Sequence, residues 1–236
     1  MSFILLGILN SQAAGEAFTY WMATLGGASA DVGYSIAIDS SDNVYVFGYA
    51  FSTGAGSADV LLAKYNSSGT IQWQRVLGGA GYDAARSVAI DSSDNLYVLG
   101  YTTSTGAGSA DFLVAKYNSS GTVQWQRVLG GSNGDYGQSV AIDSFGDVYV
   151  LGYSGSTGAG GNDLLLAKLP NDGSLTGTYE LDGVNIVYAA STLTAATSTL
   201  TASTSSLTAA TSTLTAATST LTASTSTLTE HFVGIG

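Results

Sequence analysis

The chain has 236 residues, 45% of them hydrophobic and only 10% charged, so it can build a core while carrying far fewer ionic groups than the usual ~25%. Six basic residues against 17 acidic ones leave a net charge of -11, which argues against nucleic acid and anionic membrane surfaces as partners, since both need a basic footprint. With no cysteine there is no disulfide framework and no thiolate metal site.

In chain order, residues 1–15 contain the apolar run Phe3-Ile4-Leu5-Leu6-Gly7-Ile8-Leu9. The run has no Lys or Arg before it, as a secretory signal would, and falls short of the ~20 residues that span a bilayer. It reads as an uncleaved anchor or docking peptide. The alternative is a strand or turn packed on its own domain.

Residues 31–181 then hold three copies of a unit with a period of 52 and no insertion or deletion between them. Trp21, Trp73 and Trp125 keep the period, as do Asp31, Asp83 and Asp135; Asp39, Asp91 and Asp143; Tyr45, Tyr97 and Tyr149; and Asp59, Asp111 and Asp163. A fixed period of this length marks a supersecondary unit that buries its apolar face against its neighbours. In the second copy, residues 87–91, 96–101, 112–117 and 122–129 are rich in β-branched, aromatic and aliphatic residues, and Ser/Asp/Asn/Gly turns separate them. Such runs predict a four-stranded antiparallel meander in each repeat, within a β domain over residues 16–185.

The motif D-x-L-L-A-K-Y-N-S-S-G-x-x-x-W, then L-G-G, an acidic residue, and A-I-D-S-S-D-N-x-Y-V-x-G-Y resembles the bacterial SBBP β-propeller repeat over roughly two thirds of the chain. The resemblance implies propeller-like blades and says little about function, because members are mostly surface, secreted or virion proteins. The third copy departs from the motif, with Phe145-Gly146-Asp147 at the turn, Leu169-Pro170 for Tyr-Asn, and Gly177 in place of Trp. Propellers usually close with about four to eight blades, so three leave open edges. The strand of Trp21 is expected to complete the third blade, in a compact threefold-like body or with blades shared between subunits.

Residues 186–236 are a different material. Leu193, Leu200, Leu207, Leu214, Leu221 and Leu228 recur every seven residues in a Ser/Thr/Ala background, with Ala196, Ser203, Ala210, Ala217 and Ser224 three residues after the first five. Leucine at one seam position and a small residue at the other predicts a heptad α-helical stalk, a trimeric coiled coil, stable only beside partner helices. A disordered or glycan-bearing Ser/Thr stretch and a stacked β arrangement are the alternatives.

Candidate chemistry is sparse. His231 beside Glu230 lacks a third ligand and reads as a solvated or capping side chain. The clusters at residues 39–43 and 91–95 offer oxygens that Ca²⁺ would accept, yet Asp and Asn at such turns cap the backbone themselves, so no cofactor is expected. Lys64, Lys116 and Lys168, each five residues after Asp59, Asp111 or Asp163, suggest pairing between blades. Trp21, Trp73 and Trp125 could form a sugar-stacking face, with core packing as the plainer role. Polar groups that recur with the repeat point to architecture, not to an enzyme. The layout resembles small fibre or appendage proteins of tailed bacteriophages, which implies a virion-surface protein for host attachment, self-associating and docked to other virion proteins through residues 1–15. A bacterial surface or secreted adhesin that binds glycans, or an extracellular filament subunit, is the alternative.

Overall fold

The computed structural model describes residues 20–198 and 200–207, all of whose regular structure is β. The first blade comprises β2 (Asp31–Ile38), β3 (Val44–Ala50), β4 (Asp59–Tyr65) and β5 (Ile71–Gly78). The second comprises β6 (Asp83–Ile90), β7 (Leu96–Thr102), β8 (Asp111–Tyr117) and β9 (Val123–Gly130). Both are antiparallel meanders in the same register: Val60 opposes Leu77, and one period on, Phe112 opposes Leu129. A bulge recurs at Gly33/Ser35, Ala85/Ser87 and Gly137/Ser139, where an extra residue bends the first strand and strengthens its twist.

The third blade has three strands, β10 (Asp135–Ile142), β11 (Val148–Ser154) and β12 (Asp163–Leu169). β13 (Gly177–Leu181), the segment without the tryptophan, instead forms a hairpin with β14 (Val184–Ala190), and β14 extends the second blade beside β9. β1 (Tyr20–Gly26) does not complete the third blade within this chain, contrary to the expectation above; it pairs with β16 (Thr201–Leu207).

The helical stalk is overturned where the heptads are described. β15 (Thr194–Thr197) and β16 are strands, and no helix occurs among the described residues. Thr194 opposes Gly78 and Thr201 opposes Gly26, while in the stretch before them Val187 opposes Gly130. Seven residues of tail therefore match 52 residues of body. Among the described residues, β15 and β16 are each preceded by a link that opens on a serine and closes on a leucine. In that link the Ser191 or Ser198 hydroxyl accepts the N–H of Leu193 or Leu200, at 3.2 Å in both. The link resets the strand phase, so an odd period no longer flips leucine between faces. Threonine favours such an extended backbone over a helix. Residues 1–15, the heptads of Leu214, Leu221 and Leu228, and His231 lie outside the described residues.

Two apolar clusters hold neighbouring blades face to face. Phe47, Val60 and Leu62 of the first blade meet Val88, Ile90 and Val98 of the second. Leu99, Phe112 and Val114 of the second meet Val140 and Val150 of the third. Leu193 joins the first of these clusters, and Leu200 packs with Ala50, Leu61 and Val76, so these two seam leucines serve the β body.

Candidate functional site

One end of each blade carries a polar turn that follows directly from the motif. The Asp39 carboxylate accepts the N–H groups of Ser41 and Asn43, both at 2.9 Å, the Asn43 amide at 2.9 Å and the Tyr45 hydroxyl at 2.9 Å, with Lys64 Nζ at 3.2 Å. Burial works against the ionised form, yet the donors of Asn43, Ser41 and Tyr45 outweigh it and hold this carboxyl well below the usual range. Asp91 repeats the arrangement with Ser93, Asn95 and Tyr97, and Asp143 accepts the N–H groups of Phe145 and Asp147. The lysines thus neutralise the turn of their own blade: Lys116 lies 4.0 Å from Asp91 and Lys168 lies 3.5 Å from Asp143. Their ion pairs form within a blade and not between blades as their spacing after Asp59, Asp111 and Asp163 suggested, although Lys116 Nζ also donates to the Asn171 carbonyl of the third blade at 3.4 Å. Both oxygens of Asp39 are occupied by internal donors, and no group of three or more His, Asp or Glu side chains able to hold a metal ion occurs among the described residues.

The tryptophans latch one blade to the next. Trp21, Trp73 and Trp125 donate their indole N–H to the carbonyls of Ser67, Ser119 and Asn171, at 3.1, 3.1 and 2.9 Å. Each ring covers a left-handed glycine of that turn, namely Gly69, Gly121 or Gly173, where a side chain would collide with the indole. Arg75 and Arg127 lie over the faces of Trp73 and Trp125, their guanidinium carbons 5.5 and 5.9 Å from the ring centres, and also donate to the carbonyls of Gly121 and Gly173. The polar edge of all three indoles is committed to backbone.

Where the blades meet behind the Gly-Gly loops lie buried carboxylates. Asp83 accepts the Gly79 N–H at 2.8 Å and the Ser104 hydroxyl at 2.7 Å, and Asp135 accepts those of Gly131 and Ser156, both at 2.8 Å. Asp59 and Asp111 each take backbone N–H groups on one oxygen only, from the loop before them. Burial pushes Asp111 up to about 6, and the nearby Asp135 adds to the shift.

The end of the blades opposite the Asp–Lys turns presents an aromatic row that composition and spacing did not single out. Tyr34 lies 5.7 Å from Tyr49, which meets Phe51 at 5.5 Å and Tyr82 at 5.3 Å. The row continues from Tyr82 to Tyr101 at 5.8 Å, then to Tyr136 at 4.9 Å and Tyr153 at 5.1 Å, crossing all three blades. Arg86 sits over Tyr34, 4.1 Å from its ring centre, and over Tyr101. Tyr34 and Phe51 are exposed, and the others are partly so. Only Tyr49, Tyr101 and Tyr153 obey the 52-residue period; Tyr34, Phe51, Tyr82, Arg86 and Tyr136 have unlike residues at the corresponding positions. That departure from symmetry was the available signal, and only the folding of successive blades turns it into a continuous row.

Residues 21–53, 72–106 and 124–158 match the SBBP beta-propeller repeat, and residues 92–123 match the beta-propeller domain of unknown function DUF5122. Each SBBP match opens at the fourth strand of one blade and runs into the next. The chain is 30% identical over 140 residues to Regulatory protein FlaEY of Caulobacter vibrioides, covering 50% of this chain and 15% of that protein. It is 22% identical over 189 residues to Uncharacterized WD repeat-containing protein L264 of Acanthamoeba polyphaga mimivirus, covering 59% of this chain and 14% of that protein. The chain thus spans about one seventh of the length of these curated relatives.

Proposed function

The chain is an SBBP-type β-propeller repeat protein, and we propose that it is a non-enzymatic attachment module, a virion-surface appendage that contacts host-surface glycans through its aromatic row. The observation that carries the reading is the row of seven aromatic rings from Tyr34 to Tyr153, with centroid spacings of 4.9 to 5.8 Å along it. A half-exposed run of closely spaced rings offers apolar surface to the apolar faces of successive sugar units, and Tyr hydroxyls supply hydrogen bonds at the rim. The net charge of -11 favours a neutral saccharide over an anionic one. Support for a non-catalytic role is that the recurring carboxylates Asp39, Asp91 and Asp143 are occupied by their own turns. The particle location rests on the order of an apolar peptide at residues 1–15 followed by a β body; a cell-surface adhesin would use the same row.

A glycan array, followed by titration calorimetry on the best binder, tests this. Tyr34→Ala and Phe51→Ala, both at exposed positions, should each weaken binding about tenfold while leaving the far-UV spectrum unchanged. Failure of the intact chain to bind any glycan at millimolar concentration sinks the proposal. Mass spectrometry of purified particles tests the location separately.

A further inference from the structure

The two ends of the β body are incomplete in opposite senses. At one end β1 is a fourth strand without the first three strands of its blade; at the other, β10, β11 and β12 are three strands without a fourth. Among the described strands, the edge of β1 that β5 and β9 give to β4 and β8 is unpaired, and so is the outer edge of β12. β1 is held ready by the contact of Trp21 with the Ser67 carbonyl and by stacking on Tyr65 at 5.8 Å.

The exposed side chains tell the same story. Leu164 and Leu166 are 73% and 61% exposed, while the residues at the same place in the other two blades, Val60, Phe112, Leu62 and Val114, are at 0%. On the facing end, Ile36 and Ile38 are 67% and 59% exposed, whereas Val88 and Ile90, one period on, pack into the cluster between blades. The Lys168 side chain is 50% exposed against 13% and 17% for Lys64 and Lys116, whose strands lie beside Trp73 and Trp125. A groove of about 290 Å³ beside β12, lined by Leu165, Leu166 and Leu169, has its counterpart in one of about 270 Å³ beside β1, lined by Trp21, Ala23 and Leu25.

We propose that a second copy of this chain occupies these ends, the β1 of each copy completing the third blade of the other. The register follows from the repeat. Moving the β8–β9 partners forward one period on one side and back two on the other sets Leu164 opposite Leu25, Leu166 opposite Ala23 and Lys168 opposite Trp21. Ile36 and Ile38 then meet Leu164 and Leu166 as Val88 and Ile90 meet Val60 and Leu62 within one chain. The new interface reproduces one that already holds the blades together, and it pairs two strand edges that would otherwise stay open. Rings of about four to eight blades close, and six is the multiple of three in that window, so two copies suffice.

Sedimentation of the full chain should give a single species at twice the chain mass. Because the protein has no cysteine, the double variant Ala23→Cys/Leu166→Cys should form one covalent dimer on mild oxidation, since directly opposed residues on paired strands lie within disulfide reach. The out-of-register pair Ala23→Cys/Leu164→Cys should not. Leu166→Asp, at an exposed position in a single chain, should raise the dimer dissociation constant about thirtyfold or more without loss of fold. A monomer at micromolar concentration, an open-ended ladder of polymers, or equal cross-linking by both cysteine pairs would overturn the proposal.

Discussion

Leu193 rests against Gly79, its Cδ2 only 3.2 Å from where a β-carbon on that glycine would stand, and Leu200 repeats the contact with Gly27 at the same distance. Two leucines seven residues apart thus occupy positions set by glycines 52 residues apart. The same exchange of periods governs Gln126 and Gln74, whose side-chain amides donate to the carbonyls of Leu193 and Leu200, both at 2.8 Å. Residues 187–207 are a strap that crosses the outer edges of β9, β5 and β1, advancing seven residues from each to the next.

Truncating either leucine should therefore destabilise the β body. Leu193→Ala is expected to cost about 2–4 kcal/mol in denaturant unfolding, as for other buried leucines, and Leu200→Ala a similar amount. An independent helical stalk would leave the unfolding of the body untouched. Deleting a single residue from the link at residues 198–200 should unpair β16 from β1, seen as loss of amide protection in residues 20–26.

Removal of Asp39 should be felt through its whole turn. Asp39→Ala strips the acceptor from Ser41, Asn43 and Tyr45 and leaves Lys64 without its counter-charge, a loss of about 3 kcal/mol by thermal or urea unfolding. Asp39→Asn, which keeps one acceptor oxygen, should recover part of it.

Two buried carboxylates should give opposite pH dependences. Asp111 is raised to about 6 from 3.8, so the native chain keeps a proton that the unfolded chain releases between those values. Stability from this group falls as pH rises through that window, by on the order of 2–3 kcal/mol, and is level above it. Asp111→Asn should flatten the slope and stabilise the protein at pH 7. Asp39 is lowered, so its contribution is present above 3.8 and is lost as the pH drops toward its native value. Unfolding measured from pH 3 to 8 in the wild type and the two variants separates the effects.

The turn at residue 42 leaves room for improvement. Asp42 and Asp94 adopt φ of 60° and 58°, the left-handed conformation that the third repeat fills with Gly146 at 88°. Asp94 also accepts from Ser40 across the blades, at 2.8 Å. Asp42→Gly should therefore stabilise by up to about 1 kcal/mol, and Asp94→Gly by less, since it gives up that contact.

Much of this molecule could be read before folding. The 52-residue period, the strand runs and the Asp-Ser-Ser-Asp-Asn turns are local signals, set by side-chain alternation and backbone capping, and the blades of residues 31–130 follow them strand for strand. The substitutions of the third copy, with Gly177 for Trp, were likewise visible as a fourth strand gone astray. What tertiary structure alone decided was the partner of each remaining segment. A leucine every seven residues fits a helix seam as well as a strap of short strands, because periodicity records which residues are buried and not against what. Threonine could only tilt that choice; the open outer edges of β9, β5 and β1, spaced one heptad apart, settled it. The aromatic row is decided the same way, since Tyr34, Tyr82 and Tyr136 come from different places in the repeat and become neighbours only when blade packs on blade.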